Sequence, residues 1–194
     1  MLDNISNYTI VLGSQSPRRR ELLSGLDLNY EVKILPEIEE TYPPALPKEE
    51  IPVHIARLKA LAYKEFMNKN TLLITADTIV WLNGQVYGKP ANEAEAWKML
   101  RTLSGEMHEV VTGVCLTTLE QQKSFHAVSS VQFASLEDAE IDYYVKKYRP
   151  FDKAGAYGVQ EWIGYIGVES LSGSFYNVMG LPVRMLYKYL KEWR

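Results

Sequence analysis

The chain has 194 residues, 46% of them hydrophobic and 23% charged, the balance of a soluble globular protein built as one domain or two closely joined lobes. Its 21 Lys+Arg against 24 Asp+Glu give a net charge of −3, which argues against a protein that coats nucleic acid or an anionic membrane. A lone cysteine, Cys115, excludes an intramolecular disulfide and fits a reducing cytoplasm, while MLDNISNY lacks the basic start of a signal peptide and no apolar run nears the ~18 residues of a membrane span.

The first strand is expected over residues 9–12, ending at Gly13. A helix follows over 17–23, with Ser16 as its cap and Pro17 in its first turn. Residues 30–35 alternate well enough for a second strand. The Pro- and Glu-rich stretch 41–52 reads as a loop leading into a helix, because apolar patterning resumes at once. Ile55, Leu58, Ala62 and Phe66 then recur at helical spacing over 53–66. TLLIT (71–75) is a short, continuously apolar strand of the buried type. In IVWLNGQVYG, Asn83-Gly84 between two apolar runs predicts a type I′ hairpin, since both turn positions need positive φ. A helix over 93–103 has Asn92 as its cap, and two long strands are expected over 110–118 and 124–134. Ser135 introduces a helix over 136–147, and Pro182 opens a last one running through Leu186 and Leu190 to 193. Mixed elements with some antiparallel pairing give an α/β class with a mixed sheet, as a single domain over 1–194.

The strongest local feature is VLGSQSPRRRELL, where a strand turns into a helix whose first turn carries Arg18, Arg19 and Arg20. Cations there oppose the helix macrodipole, by a few tenths of a kcal/mol each. An anion at the helix start relieves that conflict, and backbone N–H groups, the Ser14 and Ser16 hydroxyls and guanidinium forks all suit phosphate oxygens. Solvated arginines paired with Glu21 and other acids explain the residues equally well. Asp77 closes a buried strand in TLLITADTIV, a place that suits a catalytic group, although a turn aspartate is the commoner reading of these residues alone. The PEIEE run (36–40) offers Glu37, Glu39 and Glu40, which with Asp77 could hold magnesium or form a solvated loop. Lys59, Lys89 and Lys153 each read first as surface lysines. Lys153, however, opens DKAGAYGVQ, whose small residues let backbone approach a ligand, with Tyr157 and Gln160 beside them. His54, His108 and His126 lack metal-ligand spacing, Cys115 reads as a buried small hydrophobe, and Trp81, Tyr87, Tyr143, Tyr144 and Tyr148 read as packing.

Eight segments, in order over nearly the whole chain, carry a resemblance. They are S-x-S-P-R-R with ELL (14–23), E-x-E-E, A-R-x-K-A (56–60), A-D-T-I-V (76–80), G-K-P (88–90), S-G-x-x-H-x-V-x-T-G-V (104–114), D-K-A-G-A-Y-G-x-Q (152–160) and N-V-M-G-L-P (177–182). Together the chain resembles the Maf family of nucleoside triphosphate pyrophosphatases. The resemblance implies a metal-dependent hydrolase, usually with magnesium, that cuts a nucleoside triphosphate between its α and β phosphates. It also implies an elongated α/β fold with a cleft between two lobes, a catalytic aspartate at Asp77, and a homodimer. A-D-T-I-V and D-K-A-G-A-Y-G-x-Q look like the branch directed at dTTP and UTP, whose preference maps to Arg18, Thr78 and Gln160. One departure stands out: Glu161-Trp162 follows Gln160 where relatives commonly have a glycine.

On that footing Arg18, Arg19, Lys59 and Lys89, with Ser14 and the helix start, are expected to clamp the triphosphate. Asp77 with Glu39 or Glu40 is expected to hold magnesium, or manganese or cobalt, and Asp77 to orient or deprotonate the attacking water. The Gln160 amide has a donor and an acceptor, which suits the O4 and N3–H edge shared by uracil and thymine. Lys153 is expected to close on the nucleotide. Two competitors keep other outcomes in view: a modified pyrimidine nucleotide as substrate, and a non-enzymatic septum-formation regulator that acts by binding a partner.

Overall fold

In the computed structural model of the chain, which describes residues 1–36 and 38–194, the strand segments assemble into one seven-stranded sheet. Glu37 of the PEIEE run therefore lies outside the described residues. β1 (Thr9–Leu12) pairs in parallel with β2 (Glu31–Val32) on one side and β3 (Thr71–Leu82) on the other. β4 (Gln85–Tyr87) folds back antiparallel on β3 through Asn83-Gly84, whose φ values of 51° and 81° are those a I′ turn requires. β5 (Met107–Thr117) and β6 (Gln122–Phe133) extend the sheet past β3, and β7 (Val168–Ser172) ends it antiparallel to β6. Parallel and antiparallel pairs together make the mixed sheet that the pattern predicts.

The helices are α1 (Pro17–Ser24), α2 (Glu50–Ala62), α3 (Glu93–Leu103), α4 (Asp138–Tyr148), α5 (Trp162–Gly167), α6 (Phe175–Met179) and α7 (Val183–Lys191). Ser16 caps α1 by accepting from the Arg19 N–H, and Asn92 caps α3 through Glu95, as their side chains predict. Most boundaries shift by one to three residues from the sequence expectation, and four differences have a clear local cause or consequence. The strand expected over 30–35 pairs only at Glu31–Val32. The helix expected over 53–66 starts at Glu50 and gives way to a 3-10 turn at Lys64–Phe66; Pro52 is tolerated because the first turn needs no donor there. α4 is opened by Glu137 in a capping box with Glu140, not by Ser135. β3 runs on to Leu82, so Asp77 lies within a strand and does not end one.

The chain divides into two compact units. The first comprises Met1–Asp77, Thr112–Ala127 and Gly180–Arg194, the second Thr78–Val111 and Val128–Met179. Each has its own core. Leu12, Leu23, Leu72, Ile74, Leu116 and Leu190 are fully buried in the first; Leu100, Leu103, Phe133, Ile141 and Tyr144 are fully buried in the second. Such side chains contribute roughly 1.5–3 kcal/mol each. Cys115 is buried against Ala56, Ala60, Tyr63 and Leu73, which bears out its reading as a small hydrophobe. No helix of the described residues is long and apolar enough to cross a membrane.

Two contacts fix α2 on the sheet. A Cβ on Gly113 would lie 2.3 Å from the Val53 nitrogen and 2.4 Å from the Pro52 carbonyl carbon, so the helix start rests directly on β5 backbone. Farther along, the buried Thr75 hydroxyl of β3 donates to the Ala56 carbonyl at 2.7 Å. Residues two apart on a strand share a face, and residues three apart on a helix share a side. Thr75 under Ala56 therefore brings Asp77 under Lys59.

Candidate active site

In the first unit, Lys59 Nζ donates to Asp77 Oδ1 at 2.8 Å and holds Glu40 Oε1 at the same 2.8 Å. The two acids are unlike in setting: the Asp77 side chain is 10% exposed and that of Glu40 41%. Asp77 is fixed by a core strand and Glu40 hangs from irregular chain, so the cluster has one rigid carboxylate and one that water reaches. Ser14 is buried just past the end of β1 and accepts from the Ser16 N–H at 3.2 Å, while Arg18 is half-buried at the second position of α1.

Arg19 does something other than what its sequence position suggested. Its Nε donates to the Gly180 carbonyl and its Nη1 to the Ala76 carbonyl, each at 2.8 Å. The guanidinium is thus pinned under the peptide unit that precedes Asp77. Burial pulls its pKa below the ordinary value, the Asp77 and Glu40 carboxylates oppose that shift, and Arg18 adds to it. A cation at the start of α1, which the macrodipole disfavours, is here compensated in part by two backbone carbonyls.

In the second unit, DKAGAYGVQ folds as a tight, largely buried loop. Gly155 (φ 67°) and Ala156 (φ 60°) both take left-handed backbone, and a Cβ on Gly155 would lie 2.8 Å from the Val80 side chain. The Gly155 N–H donates to the Gly88 carbonyl at 3.0 Å, which ties this loop to the G-K-P turn and its exposed Lys89. Lys153 is buried and meets two acids, Asp152 Oδ1 at 2.7 Å and Glu161 Oε1 at 3.1 Å. Tyr144 donates to the other oxygen of Glu161 and accepts from the Gly158 N–H at 3.0 Å. The side-chain Oε1 of Gln160, inside that turn, is buried and makes no hydrogen bond. A buried acceptor left open is costly, so a donor supplied by a ligand fits it.

Of the residues singled out from sequence, the structure gathers Lys59, Asp77, Glu40 and Arg19 in the first unit, and Lys153 and Gln160 in the second. Thr78 follows Asp77 on β3 and so presents its side chain to the opposite face of the sheet. Glu39 is exposed, and among the described residues no three His, Cys, Asp or Glu side chains group as metal ligands. Glu40 and Asp77 are nonetheless hard oxygen donors converging on one point, which Lys59 Nζ now fills. That donor chemistry fits a magnesium ion that takes few carboxylates and completes its shell with water and phosphate.

Sequence reasoning missed three partners. Tyr144 sits on the apolar side of α4 with Ile141 and Val145, so its period announced packing and hid the hydroxyl. Glu161 was visible only as a departure. His108 is 1% exposed and shares a 2.7 Å hydrogen bond with Tyr157, with Phe133 packed edge-on against both rings. Burial lowers its pKa to about 4.

Comparison with known proteins agrees with the resemblance. The profile of the family described as Maf-like protein matches residues 9–193. A relative from Phocaeicola vulgatus named dTTP/UTP pyrophosphatase is 62% identical over 99% of this chain and 100% of its own. Relatives with the same name from Bacteroides thetaiotaomicron and Flavobacterium johnsoniae are 60% and 44% identical, over 99% and 97% of this chain and 100% and 96% of theirs. Among solved structures, the Staphylococcus aureus Ham1 protein aligns with a TM-score of 0.54 at 20% identity, over 96% of this chain and 100% of that one, a likeness of fold.

Proposed function

The chain belongs to the Maf family, matched from residue 9 to 193, and from that premise we propose that it hydrolyses dTTP and UTP to the monophosphate and pyrophosphate. The observation that carries the reading is the buried Asp77 carboxylate, held on a core strand and 2.8 Å from the Lys59 ammonium. A carboxylate so fixed can orient a water and take its proton as the water attacks the α phosphorus. Lys59 and Arg18 supply positive charge for the phosphate oxygens, with Ser14 at the loop that leads into α1. Lys89 is assigned to phosphate on the family resemblance. Arg19 acts by holding the Ala76 carbonyl, which aims Asp77.

Gln160 is assigned to the base. Its open Oε1 takes the N3–H of uracil or thymine, its amide N–H donates to O4, and cytosine, which lacks the N3–H and carries an amino group at position 4, is refused. Thr78 joins Arg18 and Gln160 in setting that preference on the same resemblance. Asp77 and Glu40 are the residues that would hold magnesium, with Lys59 shifting toward phosphate; the ion supplies Lewis acidity to the phosphoryl oxygens. The lone buried Cys115 suits a reducing cytoplasm, and a homodimer follows from the resemblance.

The test is pyrophosphate release from UTP, dTTP, CTP, ATP and GTP, with and without Mg2+. Wild type is expected to turn over UTP and dTTP only with the metal. Asp77→Asn is expected to lose roughly a thousandfold in turnover while still binding nucleotide. Near-normal turnover by that variant overturns the assignment.

A further inference from the structure

We propose that Tyr144 and Glu161 are positioning residues for pyrimidine discrimination, acting through a closed hydrogen-bonded ring that sets the Gln160 amide. The proposal rests on the assignment of Gln160 to the base. Three hydrogen bonds close the ring, and two ion pairs brace it. The Glu161 N–H donates to the Gly158 carbonyl at 2.9 Å, closing the turn that contains Gln160. The Gly158 N–H donates to Tyr144 Oη at 3.0 Å, and Tyr144 in turn donates to Glu161 Oε2. The remaining oxygen, Glu161 Oε1, meets Lys153 at 3.1 Å, and Lys153 reaches back to Asp152 at 2.7 Å.

The phenol therefore uses both its capacities, one as acceptor and one as donor, on the two ends of a four-residue turn. It is stacked on Tyr148 with ring centroids 5.0 Å apart and is fully buried, so its hydroxyl has little room to move. Burial, with the adjoining Glu161 carboxylate, keeps the phenol protonated and donating. Room inside the turn is equally limited: a Cβ on Gly158 would lie 2.9 Å from the Glu161 carboxyl carbon and 3.0 Å from Gln160 Nε2. Glu161 thus packs against the same point as the Gln160 amide nitrogen. With Oε1 of Gln160 buried and open, the amide is presented as a fixed acceptor and donor pair.

The experiment measures kcat and KM for UTP and CTP in the full chain, with Tm as a check on folding. Tyr144→Phe keeps the stacked ring and removes the bridging oxygen; it is expected to lower the UTP:CTP ratio of kcat/KM by roughly tenfold, the worth of about one hydrogen bond. Glu161→Ala should lower it similarly. Glu161→Gln, which keeps an acceptor for Tyr144, should stay within about twofold of wild type. Gln160→Ala tests the underlying assignment by itself. If it collapses the ratio, Tyr144→Phe added to it should change the ratio no further, because both act through one amide.

A Tyr144→Phe ratio equal to wild type, in a chain where Gln160→Ala collapses it, overturns the ring and leaves the Gln160 assignment standing. An unchanged ratio in Gln160→Ala overturns both. A fall caused by Tyr144→Phe that persists in full on the Gln160→Ala background shows that the ring acts on something else, and overturns the proposal.

Discussion

Each unit contains a lysine clasped by two carboxylates, and the two clusters are built to opposite ends. Lys59 lies between Asp77 and Glu40, and Lys153 between Asp152 and Glu161. Around Lys59 one acid, Glu40, is 41% exposed and belongs to no helix or strand. Around Lys153 one acid, Asp152, is likewise half exposed and in a turn, but the second oxygen of the other, Glu161, is taken by Tyr144, whose own oxygen is taken by the Gly158 backbone. The clusters differ at their inner acids: Asp77 answers to a lysine, whereas Glu161 answers to a lysine, a phenol and, through the phenol, the backbone. Equal numbers of charges therefore say little about function until one asks whether each oxygen is committed to the scaffold.

Replacing the two lysines should separate these roles. Lys59→Met is expected to lower turnover of UTP by roughly 10²–10³, the scale of losing one charge-stabilising donor. Its Tm should fall as well, because the Asp77 side chain, 10% exposed, loses the ammonium it meets, so turnover per folded molecule is the readout that separates the two lysines. A large drop in Tm with near-normal turnover would reverse the contrast and make Lys59 the structural member. Lys153→Met is expected to cost stability with little loss of turnover. It leaves the Glu161 carboxylate, with a side chain 21% exposed, without its cation, and a destabilisation of about 2–3 kcal/mol in urea unfolding is expected, discounted from the fully buried case for that exposure. Turnover per folded molecule should change less than in Lys59→Met. Equal catalytic losses in the two variants would erase the distinction.

How far the sequence foretold this depends on whether a residue's role is local. The caps at Ser16 and Asn92 and the Asn83-Gly84 turn were legible because each is settled within four residues. The clasp around Lys59 was legible only as separate motifs, because Glu40, Lys59 and Asp77 are joined by the packing of α2 on Gly113 and Thr75. The anchoring of Arg19 was illegible for a related reason: its carbonyl partners at 76 and 180 have no side-chain signature at all. α5 and α6 escaped notice because each is five or six residues long, too short for a helical period to repeat, and β7 because its apolar residues, Val168 and Leu171, lie three apart and break the strand alternation.

His108 carries the smallest expected effect and bears on the same contrast, because it lies in the scaffold of the second unit and touches Tyr157 of the DKAGAYGVQ loop. Its folded pKa is depressed to about 4 from 6.5. The unfolded chain therefore binds the extra proton first as pH falls. Stability should be lost progressively from about pH 6.5 down to 4, level off below that, and be fully present above 6.5. Between pH 7 and pH 5 the loss attributable to this group is about 2 kcal/mol. His108→Phe keeps a ring against Phe133 and Tyr157 and removes the titration. It should be less stable than wild type at pH 7, where the hydrogen bond to Tyr157 is missing, and the gap should narrow by about 2 kcal/mol on going to pH 5. Chemical unfolding of both proteins at the two pH values decides it, since carboxylates common to both cancel in the difference. A gap that stays constant would show that the acid sensitivity of the fold lies elsewhere, and would move attention back to the cluster around Lys59.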